Sequence, residues 1–483
     1  MTRSFLPRAF LSAALASLAA CAAPMAEVPQ RRAVAHDPLP PMKSFAPARA
    51  AAPERSNTDI ARDFLRLHFE MESGRTLSVF TRFERPVRVR LTGVVPPSAP
   101  DDLARLLARL RGEAGIDIAA ARPGEGAQIT VEFLPRATMQ AVVPFAACFV
   151  VPRVSSWDAF RANRRGPLTD WTALTVREEA AVFIPSDVAP QEVRDCLHEE
   201  IAQALGPLND LYDLSDSIFN DDNFHTVLTG FDMLVLRAAY APELRSGMTR
   251  AEVAARLPGV LARLNPGGVV RGSAGDPGPT PRAWKAAIET ALGPRTPPGL
   301  RREAAARALA MAEAAGWQDN RRAFSHFAMA RLSLAGEVER AVVHFAAAAR
   351  IFRSLPGGAI HVAHVDMQMA AFALSSGQAD EAIRLTDRAL PAVRASENAA
   401  LLATLLMIRA EALDLLGRGA EARAARLDSL AWGRYGFGAE TAVRARAAEI
   451  AALAPRAVQT VAGPVPPPIG PAAAAGTGMR TGG

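Results

Sequence analysis

The chain has 483 residues, of which 49% are hydrophobic, 22% charged and only 6% aromatic. This composition is too apolar for a disordered chain and too often interrupted by charge for an integral membrane bundle. The formal charge is +6, but all basic residues except Lys43 and Lys285 are arginine, scattered among Ala, Leu and Glu; that is a solvated surface and not a nucleic-acid-binding face.

The N-terminus reads Arg3 to Arg8, then an apolar stretch from Ala9 to Leu18, then Ala19-Ala20-Cys21. A basic start, a short apolar run and small residues make a secretory signal, too short to span a membrane. Its end resembles the bacterial lipobox. That resemblance implies cleavage before Cys21, lipidation of its thiol and anchoring at the periplasmic face of the cell envelope. With Ala22 rather than Asp in the next position, it also implies the outer membrane. An ordinary signal cut near Ala23 would discard Cys21. Residues 1–20 are therefore read as signal peptide and 21–57, rich in Pro, Ala and Arg, as a tether. Export also bears on Cys148 and Cys196, because disulfides persist in an oxidising compartment. The two are expected to pair, closing a loop of nearly fifty residues, the alternative being two buried free thiols.

Residues 58–266 carry a mixed α and β pattern. Val87, Val89 and Leu91 alternate with arginines and predict a strand; Leu103, Leu106, Leu107 and Leu110 follow Asp101-Asp102 at helical spacing. Further strands are expected at 129–133, 148–151 and 180–184. A helix is expected to open at Pro190, with Val193, Leu197, Ile201 and Leu205 on its apolar side. Residues 267–298, rich in Gly and Pro, read as a linker with one short helix near Trp284 to Leu292. From 299 to 455 the chain is Ala-rich, helical and repetitive. Gly336, Gly377 and Gly417 recur 41 and 40 residues apart. Each is followed five positions later by Ala341, Ala382 or Ala422, and twelve later by Ala348, Ala389 or Ser429. Gly permits a turn and small residues let two helices approach, so stacked hairpins share a core. This resembles the tetratricopeptide repeat with longer helices and few of its aromatic positions. Residues 456–483, of Pro, Ala and Gly, predict a disordered tail.

The stretch that could carry chemistry is Cys196-Leu-His-Glu-Glu-Ile-Ala-Gln-Ala-Leu-Gly206, followed by Asn209-Asp210, Ser217-Ile-Phe219 and Gly247-Met248. Zinc peptidases place two His one helical turn apart, with a Glu after the first; in the metzincin form a Gly ends the helix before a third His. Set on Gly206, that frame makes Glu199 the first ligand position, Glu200 the acid/base, Gln203 the second ligand position and Asn209 the third. An amide oxygen is a poor zinc donor, so the geometry survives while the metal-binding chemistry mostly does not. A frame starting at His198 ends on Ala202 and also lacks its second ligand. The same residues resemble the bacterial domain of unknown function 2927 family, over roughly residues 58 to 266. The resemblance implies that Glu-Glu-x-x-Gln is the family's usual form, and it brings no established activity.

Each residue also has a plain structural reading. Glu200 fits a surface or helix-capping carboxylate, Glu199 and Gln203 a pair bonding each other or a loop amide, and His198 a solvated side chain. Asp221-Asp222-Asn223-Phe-His225 reads as a solvated turn without calcium-loop spacing. His361 and His364 read as core or surface residues. The expected architecture is an α+β zincin-like domain followed by an all-α tetratricopeptide-like helical repeat domain. The expected function is a lipid-anchored envelope protein whose first domain holds no cofactor and is a non-catalytic pseudopeptidase, and whose repeats bind a protein partner. The alternative is a zinc-dependent envelope peptidase or amidase with Glu200 as general acid/base and Glu199 joined by His198 or His225 as ligands.

Overall fold

The computed structural model describes residues 38–46, 50–293, 295–334 and 336–455. The lipidation of Cys21, the signal peptide and the tail from 456 lie outside them. The described residues from Pro40 onward belong to one compact unit, which carries the fold set out below. None of the helices among the described residues is long and apolar enough to cross a membrane.

The first part is an α/β region built on a five-stranded mixed sheet. Its elements are α1 (Asn57–Phe69), β1 (Val87–Gly93), α2 (Ala99–Glu113), β2 (Ile118–Ala120), β3 (Ile129–Leu134), α3 (Arg136–Gln140), β4 (Phe149–Pro152), α4 (Trp157–Asn163), β5 (Ala180–Pro185), α5 (Pro190–Leu205), α6 (Gly230–Ala239) and α7 (Arg250–Leu264). The strand order is β2-β1-β3-β5-β4, with β4 the one antiparallel strand, paired Phe149 to Phe183 at the edge. The expected strands and the helix at Pro190 are all present; β2, α1, α3, α4, α6 and α7 add to them.

Strand β5 is buried along its whole length because both faces are covered. Ala180, Val182 and Ile184 face one core with Ile129, Val131 and Phe133 of β3, Leu103, Leu106 and Leu110 of α2, and Leu197 and Ile201 of α5. Ala181 and Phe183 face the other with Trp157 and Phe160. That two-residue period is the pleat of a strand with helices above and below. Ser56 caps α1, its Oγ accepting from Asp59 N, while Thr229 and Thr249 open α6 and α7 with full capping boxes. Cys148 and Cys196 are disulfide-bonded, Cα atoms 6.0 Å apart, which ties the residue before β4 to the middle of α5.

The second part is all helical: α8 (Arg282–Leu292), α9 (Pro298–Ala314), α10 (Asn320–Ser333), α11 (Val338–Phe352), α12 (Ala359–Ser375), α13 (Ala379–Ala395), α14 (Ala399–Leu415), α15 (Gly419–Gly436) and α16 (Glu440–Ala451). Helices α10 with α11, α12 with α13, and α14 with α15 pack as successive hairpins that turn at Gly336, Gly377 and Gly417. Gly377 and Gly417 have φ of +73° and +72°, the left-handed conformation that ends a helix most cheaply with glycine. The small residues of the repeat, Ala341, Ala382, Ala422, Ala348, Ala389 and Ser429, are all buried where the paired helices meet. The region is thus helical and repeat-like. Helix α8, which the sequence places in a linker, instead packs against α9 with Trp284 fully buried. Part of the segment read as a tether is also laid on the body: Phe45 lies 4.5 Å from Trp432, ring centroid to centroid, and Lys43 N donates to Ala431 O.

Candidate functional site

Helix α5 begins at Pro190, whose missing N–H costs nothing in a first turn. It ends at Gly206, where the His68 ring leaves no room for a side chain: a Cβ there would come 2.8 Å from His68 Nε2. Arg177 seals the helix end, donating to the carbonyls of Gln203, Ala204 and Gly206 while stacking on Trp171. A guanidinium without a carboxylate partner is stable there because it meets carbonyls that the helix leaves unbonded. Burial nevertheless draws its pKa down to about 10.

His198, Glu199 and Glu200 leave the helix in different directions. His198 is buried; Leu228 N–H donates to its Nδ1 (3.1 Å), and burial, with Arg194, Arg109 and Arg105 nearby, holds it neutral well below its usual range. It is therefore not the solvated side chain that the sequence suggests. Glu200 is also inside, on the stripe that includes Leu197 and Ala204, and its Oε2 meets no hydrogen-bond partner. Burial, with Asp210 adding repulsion, pushes its carboxyl up to about 8. A surface or capping role is excluded by that position. Glu199 is half-buried, and its pKa is raised well above normal by burial and by Glu200, Asp221, Asp195 and Glu72.

The remaining frame positions are engaged within the fold. Gln203 Nε2 donates to Asp210 Oδ2 at 3.5 Å, so its partner is the Asp210 carboxylate and neither Glu199 nor a loop amide. Asn209 Nδ2 donates to Arg66 O at 3.3 Å. Ser217-Ile218-Phe219 forms a tight turn held by Asp232: Ser217 Oγ donates to one carboxylate oxygen (2.5 Å), and Ile218 N and Thr229 N donate to the other. Gly247 takes φ +87°, and Met248 O accepts from Phe80 N.

Residues 209–226 form the joint with the helical region. Tyr212 packs edge-on to Trp284 at 5.0 Å, and Phe224 sits 4.6 to 5.9 Å from Phe324, Phe327, Phe352, His361 and His364. Asn320 Nδ2 donates to Tyr212 O and to Asp222 Oδ2; His361 Nε2 lies 3.0 Å from the same oxygen, and Ser215 Oγ donates to Pro356 O. The Asp221 to His225 run is thus only partly a solvated turn: Asn223 is exposed, while Asp222 and Phe224 are buried between the two regions. His225 Nε2 donates to Ser215 O, and burial lowers its pKa to about 4. His361 belongs to the core, as one of its readings has it, and His364 is half-buried against Phe224 beside it. Among the described residues, three His, Cys, Asp or Glu side chains are nowhere grouped so as to hold a metal ion.

The fold and joint define a two-part protein, an α/β module continuous with a helical repeat-like region. Within it, residues 57–259 match the model of a family described as "Protein of unknown function (DUF2927)", and the match supports that family for the α/β region. No curated protein matches the chain.

Proposed function

We propose that this is a lipid-anchored cell-envelope protein whose zincin-like α/β module is a non-catalytic scaffold, with tetratricopeptide-like repeats that bind a protein partner. One observation carries the reading. Gln203 and Asn209, the second and third ligand positions of the frame, are spent on internal hydrogen bonds, and the segment after them is consumed by the joint. A segment so used positions helices instead of opening to a substrate. Partner binding is supported by a surface recess of about 550 Å³ between the second and third hairpin turns, lined by Gly377, Gln378, Ala379, Leu415, Leu416 and Pro455. Helical repeats also occur as plain scaffolds, so the partner is tested directly. A photo-crosslinking residue placed at Leu416 in cells is expected to trap the same defined protein in wild type and in Glu200→Gln. Crosslinks lost in Glu200→Gln with folding intact count against the reading. Radiolabelled palmitate incorporation that disappears in Cys21→Ser tests the anchor.

A second reading, an envelope metallo-hydrolase, is favoured by one observation. A carboxyl with a pKa of about 8 is suited to general acid/base work near neutrality. It needs His198 or His225 beside Glu199, and both rings are bonded elsewhere. One zinc per chain, lost on Glu199→Ala, together with casein or murein hydrolysis abolished by Glu200→Gln, would establish it in place of the scaffold.

A further inference from the structure

We infer that the turn at residues 141–147, with the arginines around it, is a membrane-contact surface that inserts Phe145 among the headgroups of an anionic phospholipid bilayer. The turn joins α3 to β4 and carries no charge, reading Ala141-Val-Val-Pro-Phe-Ala-Ala147. Its base is fixed. The carbonyl of Met139, itself fully buried, accepts from Val142 N (3.0 Å) and Val143 N (2.9 Å), and both valines pack on the cluster of Trp157, Phe160 and Phe183. At the other end the Cys148 disulfide pins the chain to α5. The tip points away from that base: Ala141, Pro144 and Ala147 are exposed, and Phe145 is 87% exposed. An apolar tip held out in water by a fixed base marks an interaction site.

The charge around the tip is mostly of one sign. A recess of about 480 Å³ lies between Val142 of the turn and Asp158, Arg161, Ala162 and Arg164, on α4 and just beyond it. Arg161 and Arg164 are exposed there, and neither has an ion-pair or hydrogen-bond partner among the described residues, Asp158 included. Arg165 beside them is exposed in the same way. Arg295, between α8 and α9, brings its guanidinium to 5.3 Å from the Phe145 ring centroid. Val142 and Phe145 are three residues apart, so their Cα atoms are separated by no more than about 11 Å. Ring, recess and arginines therefore share one patch. The sequence keeps acid away from it, with neither Asp nor Glu from Arg136 to Trp157.

An anionic bilayer meets both demands of the patch at once. The apolar tip enters the boundary of the acyl chains, while arginine stems lie along it and hold their guanidiniums at the level of the phosphates. Guanidinium forks match phosphate oxygens, and the recess beside Arg161 and Arg164 has room for a headgroup. Arginines on separate elements around a projecting ring suit a fluid array of headgroups, which needs no fixed counterpart for each charge. The inference stands apart from the scaffold reading and from the anchor at Cys21, because the patch binds lipid with no acyl chain attached.

The test is sedimentation with vesicles of phosphatidylcholine, with or without phosphatidylglycerol. It uses the full chain without its signal segment, residues 22–483, which carries no acyl group and keeps every described residue. The expected result is binding to the anionic vesicles, little to the neutral ones, and release at high salt. Phe145→Ala is expected to weaken binding about ten-fold through the apolar surface lost. Arg161→Ala/Arg164→Ala should weaken it about twenty-five-fold, at about five-fold per arginine. All three side chains are exposed, and unchanged melting checks that the variants fold. Phe145→Trp is expected to add fluorescence quenching by brominated acyl chains beyond that of the native tryptophans, which separates insertion of the tip from charge adsorption elsewhere. No binding to anionic vesicles, affinity unchanged in Phe145→Ala and the arginine double variant, or no added quenching in Phe145→Trp would each overturn the inference. So would a crosslinking residue at position 145 that traps a defined protein while the chain ignores vesicles, which makes the patch a protein interface.

Discussion

Glu200→Gln makes the buried carboxyl of α5 accountable to a stability measurement. In the folded protein this group titrates near 8, against 4.5 for the ordinary side chain, burial being the main cause and Asp210 the second. The folded state therefore holds its proton where the unfolded chain releases it. Stability linked to that proton is fully present below pH 4.5 and is lost as the pH rises towards 8. At pH 7 the loss is on the order of 3 kcal/mol, from about 1.4 kcal/mol per unit of pH between the two values. Glutamine keeps the shape and does not titrate, so the variant escapes the loss. Scanning calorimetry of the disulfide-intact protein is expected to give similar melting temperatures at pH 4.5. At pH 7 the variant should melt higher by roughly 3–4 °C, at about 1 °C per kcal/mol for a cooperative unit that includes both regions. A constant difference between the two proteins across this pH range would refute the argument, and with it the burial assigned to Glu200.

Other parts of the structure make separate predictions. Phe224→Ala removes the ring that five aromatic side chains of the helical region surround, and should cost about 3–5 kcal/mol in urea unfolding, with both regions destabilised together; a transition confined to the helical region would contradict the shared joint. Gly206→Ala brings a methyl against His68 and should destabilise by about 1–3 kcal/mol, with partial recovery in a Gly206→Ala/His68→Ala double variant measured the same way. Reducing the Cys148–Cys196 disulfide, whose cysteines are 48 residues apart, should lower stability by about 4 kcal/mol on the chain-entropy account; equal melting with and without reductant would count against it.

The sheet was legible because its strands alternate or run apolar in a way that only a pleated, two-faced layer explains, Ala180 to Ile184 above all. The repeat was legible from glycine spacing, since the turn and the close helix contact each demand a small residue at a fixed offset. The site was less so. Glu200 falls beside the apolar stripe Val193, Leu197, Ile201 and Leu205, and at about 100° per residue it lies roughly 60° from Leu197, with Ala204 roughly 20° from Leu197, which was the available sign that it faces inward. Nothing local marks His198 as buried, because its partner is the Leu228 amide 30 residues on. The joint was least legible of all: Asp222 and Phe224 look like a polar turn until Asn320, His361 and the phenylalanines of α10 and α11 are brought up against them. Helix α8 was assigned to a linker because its Pro- and Gly-rich flanks dominate the composition and only Trp284 reports the core.

The joint also sets an order of events in folding. Asp222 waits for Asn320 and His361, which follow 98 and 139 residues later, and Gln191 at the head of α5 waits 207 residues for Asn398. During vectorial emergence of the chain, the α/β module therefore reaches its sheet early but keeps Tyr212 and Phe224 uncovered until most of the helices have appeared. Such distant closures are slow and entropically expensive. In that interval the protein presents a sticky aromatic loop to its surroundings, and periplasmic or cytosolic holdases would find it there. The boundary at residue 259 that the family match draws is thus a boundary of sequence and not of autonomous folding: a fragment cut at that point would keep its strands and leave the loop after α5 without the surface on which it rests.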